Sequence, residues 1–221
     1  MVDPKLKGYI EQKVFPLYER FYSHGVDHLR AVIENSLLLA AYYHLDEDMC
    51  YAVAVYHDAG LSVDRANHEK ASGQLLWEDV GLRKFFDQEQ MMIMKEAVED
   101  HRGSRKVRPR SIYGEVVSDA DRDFDIAVLA KRQLATSIKN YPDLTTFEEH
   151  FERCHTYILQ RINGEGHFNL WTKNPILLER RAQFERDFLD KPYAQSVYKK
   201  EWDRITADGT IEKIKNYYQD K

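Results

Sequence analysis

Between Leu17 and Arg108 the chain contains no proline, although six prolines are spread over the rest of its 221 residues. Helix interiors exclude proline, so a run this long without one permits several helices in succession. The apolar pattern agrees. From Val26 to His44, Leu29, Val32, Ile33, Leu37, Ala40 and Ala41 recur at helical spacing. Asp46 suits the N-cap of a second helix, whose segment Met49–Tyr56 is almost wholly apolar and should end near Gly60. Asn67–Val80 reads as a third helix, with Ala71, Leu75 and Leu76 inward and Gly81 as its stop. Asp87–His101 reads as a fourth, with Met91, Met94, Ala97 and Val98 facing the core. Past a basic loop, Arg102–Arg110, helices are expected over Ser111–Asp121, Ile126–Tyr141 and Leu144–Asn163, then Ile176–Leu189 and Tyr193–Ile205. No segment alternates Val, Ile or Thr with polar residues, so the expected class is all-α.

Composition narrows the function classes. Hydrophobic residues at 43% against 31% charged supply a core, which a disordered chain would lack. A net charge of -5 does not suit a globally basic nucleic-acid surface. Uncharged apolar stretches such as Leu37–Tyr43 and Met49–Tyr56 are too short for a bilayer, and Met1–Ile10 lacks the apolar core of a signal peptide. A cytoplasmic protein without a membrane partner is expected. Cys50 and Cys154 fall in no metal or redox spacing and read as buried thiols. The last third is rich in aromatics: Phe168, Trp171, Phe184, Phe188, Tyr193, Tyr198, Trp202, Tyr217 and Tyr218. Packing against the main bundle explains them; a homodimer contact or a lid over a cleft are the alternatives.

The residues that carry chemistry are His28, the pair His57-Asp58, and Asp121. His28 stands near a helix start. His57-Asp58 closes the apolar run Ala52–Tyr56, where a charged pair is costly unless something compensates it. A divalent metal would do so, and imidazole with carboxylate suits Mn, Fe, Co, Ni or Zn. Asp121 lies in Asp119-Ala-Asp121-Arg122.

The order His, His-Asp, Asp on an all-helical chain resembles the HD-domain metal-dependent phosphohydrolases. The resemblance spans roughly Tyr22–Leu134 and places His28, His57, Asp58 and Asp121 at the four metal-ligand positions. The chain is then read as an HD-type helical domain over residues 1–143, with a helical C-terminal extension over 144–221, which the resemblance does not cover, packed on the same core. The resemblance also implies one divalent transition metal and a small phosphorylated substrate, a nucleotide or related ester, attacked at phosphorus by metal-activated water. Asp119 would orient a ligand or Arg122. Asp58, His68 and Glu69 are the candidates for proton transfer, with Asp64 a further choice. Arg122, His101, Arg102 and Arg105 are the candidates for holding phosphate, in a loop that also carries Lys106, Arg108 and Arg110. That loop reads equally as a solvated charge run. Arg65 and Lys70 lie near the motifs, and Arg122 could instead pair with Asp119 or Asp123. His68 and His101 could hold a second metal, although Asp58 to His68 is a short interval for that. Two rival functions follow: a di-iron oxygenase using His68 and His101, and a metal- or nucleotide-binding regulatory module without turnover. His24, His44, His150, His155 and His167 have no comparable setting and read as ordinary.

Overall fold

The computed structural model describes residues 1–19, 21, 24–122, 124–163, 168 and 170–216. His167, Asp123, Tyr217 and Tyr218, named above, lie outside the described residues. The described residues form eleven α-helices and no strand, so the all-α expectation holds. No described helix is long and apolar enough to cross a membrane.

The chain divides into two compact units. The first takes residues 1–122 together with 169–174, and the second takes 123–168 and 175–221. The observed division follows Arg122, earlier than residue 143, so the helix over 126–140 falls in the second unit.

In the first unit, α1 (Pro4–Tyr18), α2 (Val26–Tyr43), α3 (Glu47–Tyr56), α4 (His68–Glu78), α5 (Gln88–Glu99) and α6 (Ile112–Ala120) follow in order. α3 is the central rod: every residue from Met49 to Tyr56 is buried, and α1, α2, α5 and α6 all pack on it. Its ends are set locally. The Asp46 carboxylate accepts hydrogen bonds from the Asp48 and Met49 amides, as a helix N-cap should. α5 begins with a reciprocal capping box between Asp87 and Gln90, and buries Met91, Met94, Ala97 and Val98 completely. Ser111 caps α6 through the Gly114 amide.

Three local readings differ from expectation. α1 begins with Pro4 in the first turn, where no amide partner is lost, behind an Asp3 N-cap; Pro16 sits in its final turn. α2 buries His28, Leu29, Val32, Ser36, Leu39 and Ala40, whereas Ile33 and Leu37 are half-buried and Ala41 is exposed. Positions 28, 32, 36 and 39 share one face, so His28 lies on the buried side of this helix. In α4, Ser72, Gly73 and Leu76 face inward rather than Ala71 and Leu75, which are half-buried.

The second unit comprises α7 (Ile126–Asn140), α8 (Phe147–Asn163), α9 (Pro175–Leu189), α10 (Lys191–Ala207) and α11 (Thr210–Asn216). It has its own aromatic core, in which Phe147, Phe151, Phe168, Phe184, Phe188 and Tyr198 are buried. Of the two cysteines, both buried and free, Cys154 belongs to this core. Cys50 lies in α3, where burial pushes its thiol up to about 12, too high for a nucleophile.

Candidate metal centre

Five of the first unit's helix ends meet at one place. His28 projects from the first turn of α2. His57 is the C-cap of α3 and Asp58 follows it. His68 opens α4, His101 lies just beyond α5, and Asp121 is the C-cap of α6. The C-terminal ends of three helices therefore converge, each with partial negative charge from its free carbonyls. A carboxylate at such an end, like Asp121, calls for a cation beside it.

The four ligand positions expected from the sequence come together. His28 Nε2 lies 3.1 Å from Asp121 Oδ1 and 3.9 Å from Asp58 Oδ2. His57 Nε2 lies 3.4 Å from Asp58 Oδ2 and 3.8 Å from Asp121 Oδ1. On the other carboxylate oxygen of Asp58, His68 Nε2 stands at 3.2 Å and His101 Nε2 at 3.5 Å. Asp58 thus divides its two oxygens between two histidine pairs. The rings of His24, His28, His57, His101 and His68 run in succession, with centroids 5.2 to 5.5 Å apart.

Three of these histidines share one device. The Nδ1 atoms of His57, His68 and His101 face the carbonyls of Ala54, Arg65 and Val98, each three residues back, at 2.7, 3.4 and 2.6 Å. A carbonyl only accepts, so Nδ1 carries a proton, and Nε2 is the nitrogen turned to Asp58, where a metal would take the place of its proton. His57 Nε2 and Asp121 Oδ1 are buried without a hydrogen bond, an arrangement that costs free energy unless an ion sits among them. Three groups have ligand atoms close enough together to hold a metal: His28, His57 and Asp121; Asp58, His68 and His101; and His24, His28 and Asp58.

The electrostatics fit the same reading. Burial alone would raise the Asp58 carboxyl, but His57, with His101 and His24, holds it well below the usual carboxylate range. Burial likewise opposes ionisation of Asp121, and His28 and His57 outweigh it and lower its pKa. Burial favours a neutral His57 ring, yet Asp58 and Asp121 raise it to about 9. A divalent cation among these atoms would replace that proton. Metal-free protein should therefore be most stable below the ordinary histidine pKa of about 6.5, and should lose that contribution as pH rises through about 9. Saturating Mn²⁺ should flatten the slope; urea unfolding from pH 6 to 9.5, with chelator and with metal, measures both.

The short interval from Asp58 to His68 is closed by a 3-10 turn, Ala59–Ser62. Gly60 makes this turn fit. A Cβ there would lie 2.4 Å from the Ser72 amide nitrogen and 2.5 Å from the His68 carbonyl oxygen. The Gly60 amide also donates to Ser72 Oγ at 2.8 Å. The start of α4 is thereby pressed against the His-Asp turn, and His68 reaches Asp58.

The remaining candidates divide. Glu69 lies beside the centre and pairs with Arg102 Nη1 at 3.2 Å. Asp64 is exposed, and its carboxylate accepts from the Ala66 and Asn67 amides. Arg65 and Lys70 are exposed. The basic loop is tied to carboxylates instead of being a free solvated run. Asp100, fully buried, takes Arg110 Nε and Nη2 at 2.9 Å each and Arg105 Nη1 at 3.0 Å, and Arg108 Nε meets Glu115 at 2.5 Å. Arg105 therefore supports the residue that precedes His101. Arg122 is buried, donates from Nη2 to Ser118 Oγ at 3.3 Å, and lies against Gly103, where an added Cβ would be 1.8 Å from Nη1. Burial lowers its pKa despite Asp121 and Asp119, and Nε makes no hydrogen bond. Asp119 holds neither a ligand nor Arg122 by hydrogen bond. Its carboxylate accepts from the Trp171 and Thr172 amides and from Thr172 Oγ1, at 2.7 to 2.9 Å. One contact was not foreseen: His24, read as ordinary, places Nδ1 2.9 Å from Asp58 Oδ2. Its only sequence signal is the four-residue interval to His28.

Residues 25–123 match the HD domain family. No curated protein sequence matches the chain. Two crystal structures are similar to it. A predicted HD superfamily hydrolase from an uncultured Thermotogales bacterium is 17% identical, with 70% of this chain and 86% of that one covered and a TM-score of 0.43, too loose a superposition to argue from. A Lactobacillus plantarum protein is 21% identical, with 92% of this chain and 100% of that one covered and a TM-score of 0.58, a likeness of fold alone. The matched residues 25–123 take in the helices that bring His28, His57, Asp58 and Asp121 together, so the stretch that matches the HD domain family is also the one whose His/Asp cluster could hold a metal.

Proposed function

We propose that the protein is a divalent-metal phosphohydrolase acting on a nucleotide or related small phosphate ester. The observation that carries the reading is the division of Asp58 between His28 and His57 on Oδ2 and His68 and His101 on Oδ1. His28, His57, Asp58 and Asp121 would hold one ion, and Asp58, His68 and His101 offer a place for a second. When bound, such a cation supplies an activated water and a partner for phosphoryl charge. The chain's own residues do the rest. The Nδ1 bonds to backbone carbonyls fix three imidazoles in one tautomer. Asp58, which would be shared between the two halves, is the carboxylate that would take up a proton released there. Arg122, a buried guanidinium next to Asp121 with an unused Nε, is the group suited to receive an anionic phosphoryl oxygen. Since Arg102, Arg105, Arg108 and Arg110 are paired with carboxylates, the substrate is read as carrying a short phosphate rather than a long polyphosphate.

A second reading, a di-iron oxygenase, draws on the same placement of His68 and His101. It gives the buried Arg122 no task, which is why hydrolysis is preferred. Elemental analysis of protein purified without chelator, joined to phosphate release from a nucleotide panel with Mn, Co, Ni or Mg, separates them. Metal-dependent phosphate release supports the hydrolase. Two irons per chain with oxygen uptake and no phosphate release would replace it with the oxygenase.

Arg122→Lys should leave metal content unchanged and raise KM for the preferred substrate roughly tenfold or more, the scale of a charged hydrogen bond. An unchanged KM would return Arg122 to a packing role.

A further inference from the structure

The matched HD region begins at residue 25, yet two of the closest supports of Asp58 come from before it. Tyr18, at the end of α1, is completely buried. Its hydroxyl donates to the Val55 carbonyl at 2.7 Å and accepts from the Asp58 amide at 3.2 Å. It therefore closes the last turn of α3, taking up a carbonyl that the helix end leaves over and the amide of Asp58 just past the C-cap. Its ring lies 6.4 Å from that of His57. The second support is His24, whose Nδ1–H donates to Asp58 Oδ2 at 2.9 Å. The next residue, Gly25, is the N-cap of α2 and stands where a Cβ would come within 2.5 Å of the Phe21 carbonyl oxygen.

These contacts act on one weakness of the centre. A carboxylate's terminal torsion is broad and nearly two-fold, so Asp58 left alone could exchange Oδ1 and Oδ2. Exchange would scramble which oxygen serves which histidine pair. Tyr18 fixes the backbone from which the side chain starts, and His24 fixes one oxygen.

We propose that Tyr18 and His24, upstream of the HD domain, are positioning residues of the metal centre that together lock the orientation of Asp58. The inference rests on the metal-binding reading above and deepens it: the N-terminal helix is part of the working site, not an appendage.

The test is Co²⁺ binding by the full chain, followed by visible absorption and by competition with a chelator. His24→Ala and Tyr18→Phe should each weaken Co²⁺ binding by roughly 10- to 100-fold, as loss of a ligand's supporting hydrogen bond does elsewhere. Each should also alter the Co²⁺ band shape, while helix content stays at the wild-type level. His24→Gln, which keeps an N–H donor, should recover part of the loss. Wild-type affinity and band shape in both His24→Ala and Tyr18→Phe would overturn the proposal. Should Tyr18→Phe fold poorly, His24→Ala decides alone, because that side chain is 25% exposed and bears little of the core. A wild-type protein that binds no Co²⁺ would instead bring down the metal reading itself, and the proposal with it.

Discussion

Asp58→Ala is expected to empty both halves of the centre at once, whereas His101→Ala should remove only one ion and Asp121→Ala only the other. The contrast follows from geometry. His68 and His101 meet one Asp58 oxygen; His28 and His57 meet the other. Metal-dependent phosphate release by Asp58→Ala should fall by roughly a thousandfold or more, the scale of losing a transition-state electrostatic partner. The fold should survive the change. His57 then loses a neighbour that raises its pKa and can return to a neutral ring, so the variant need not bury an unpaired charge. Metal analysis and circular dichroism on the three variants check this. Equal metal loss in all three would mean that the two halves are one site.

Gly60→Ala should be the most damaging single-methyl change in the first unit. The new Cβ would meet backbone atoms, Ser72 nitrogen at 2.4 Å and His68 oxygen at 2.5 Å, which cannot rotate away as a side chain could. α4 must move as a body. Overpacking of this kind costs about 1–3 kcal/mol, sometimes more, equivalent to a fall in Tm of roughly 3–10 °C at this chain length. His68 opens α4, so metal at the His68–His101 half should be lost before that at His28 and Asp121. Calorimetry and metal stoichiometry on one preparation would reveal an unchanged Tm with full occupancy, the outcome that would remove Gly60 from this role.

Much of the architecture was legible because its signals are local. Capping residues, apolar spacing and an absence of proline act within a few positions, so α2 to α8 could be bounded to within a few residues. α1 was not assigned, since Pro4 and Pro16 look like breakers, and only their placement in the first and last turns reconciles them with a helix. α11 is one short polar segment with little pattern to read. In α2 the apolar spacing marks Leu29, Val32 and Ala40, which are buried, but periodicity does not count the polar His28 and Ser36 that are buried with them. At the site, the order of residue types singles out His28, His57, Asp58 and Asp121, and the fold brings these four side chains together. His24 was missed because its partner lies 34 residues away. The basic loop could not be resolved from composition: its arginines are answered by Asp100, Glu115 and Glu69, and only tertiary structure pairs them.

The grip of Asp119 on Trp171 and Thr172 bears on how the chain is made. α6 leaves the ribosome with a carboxylate destined for complete burial, while the two amides and the hydroxyl that satisfy it are still unsynthesised. Everything between Asp123 and Phe168 must emerge first. The first unit can gather its helices during translation, but its last buried charge stays in water until that excursion has been threaded. A single cut after Arg122 would leave Asp119 in that state permanently, so the metal-binding half is not a segment that can be lifted out of the gene by its ends.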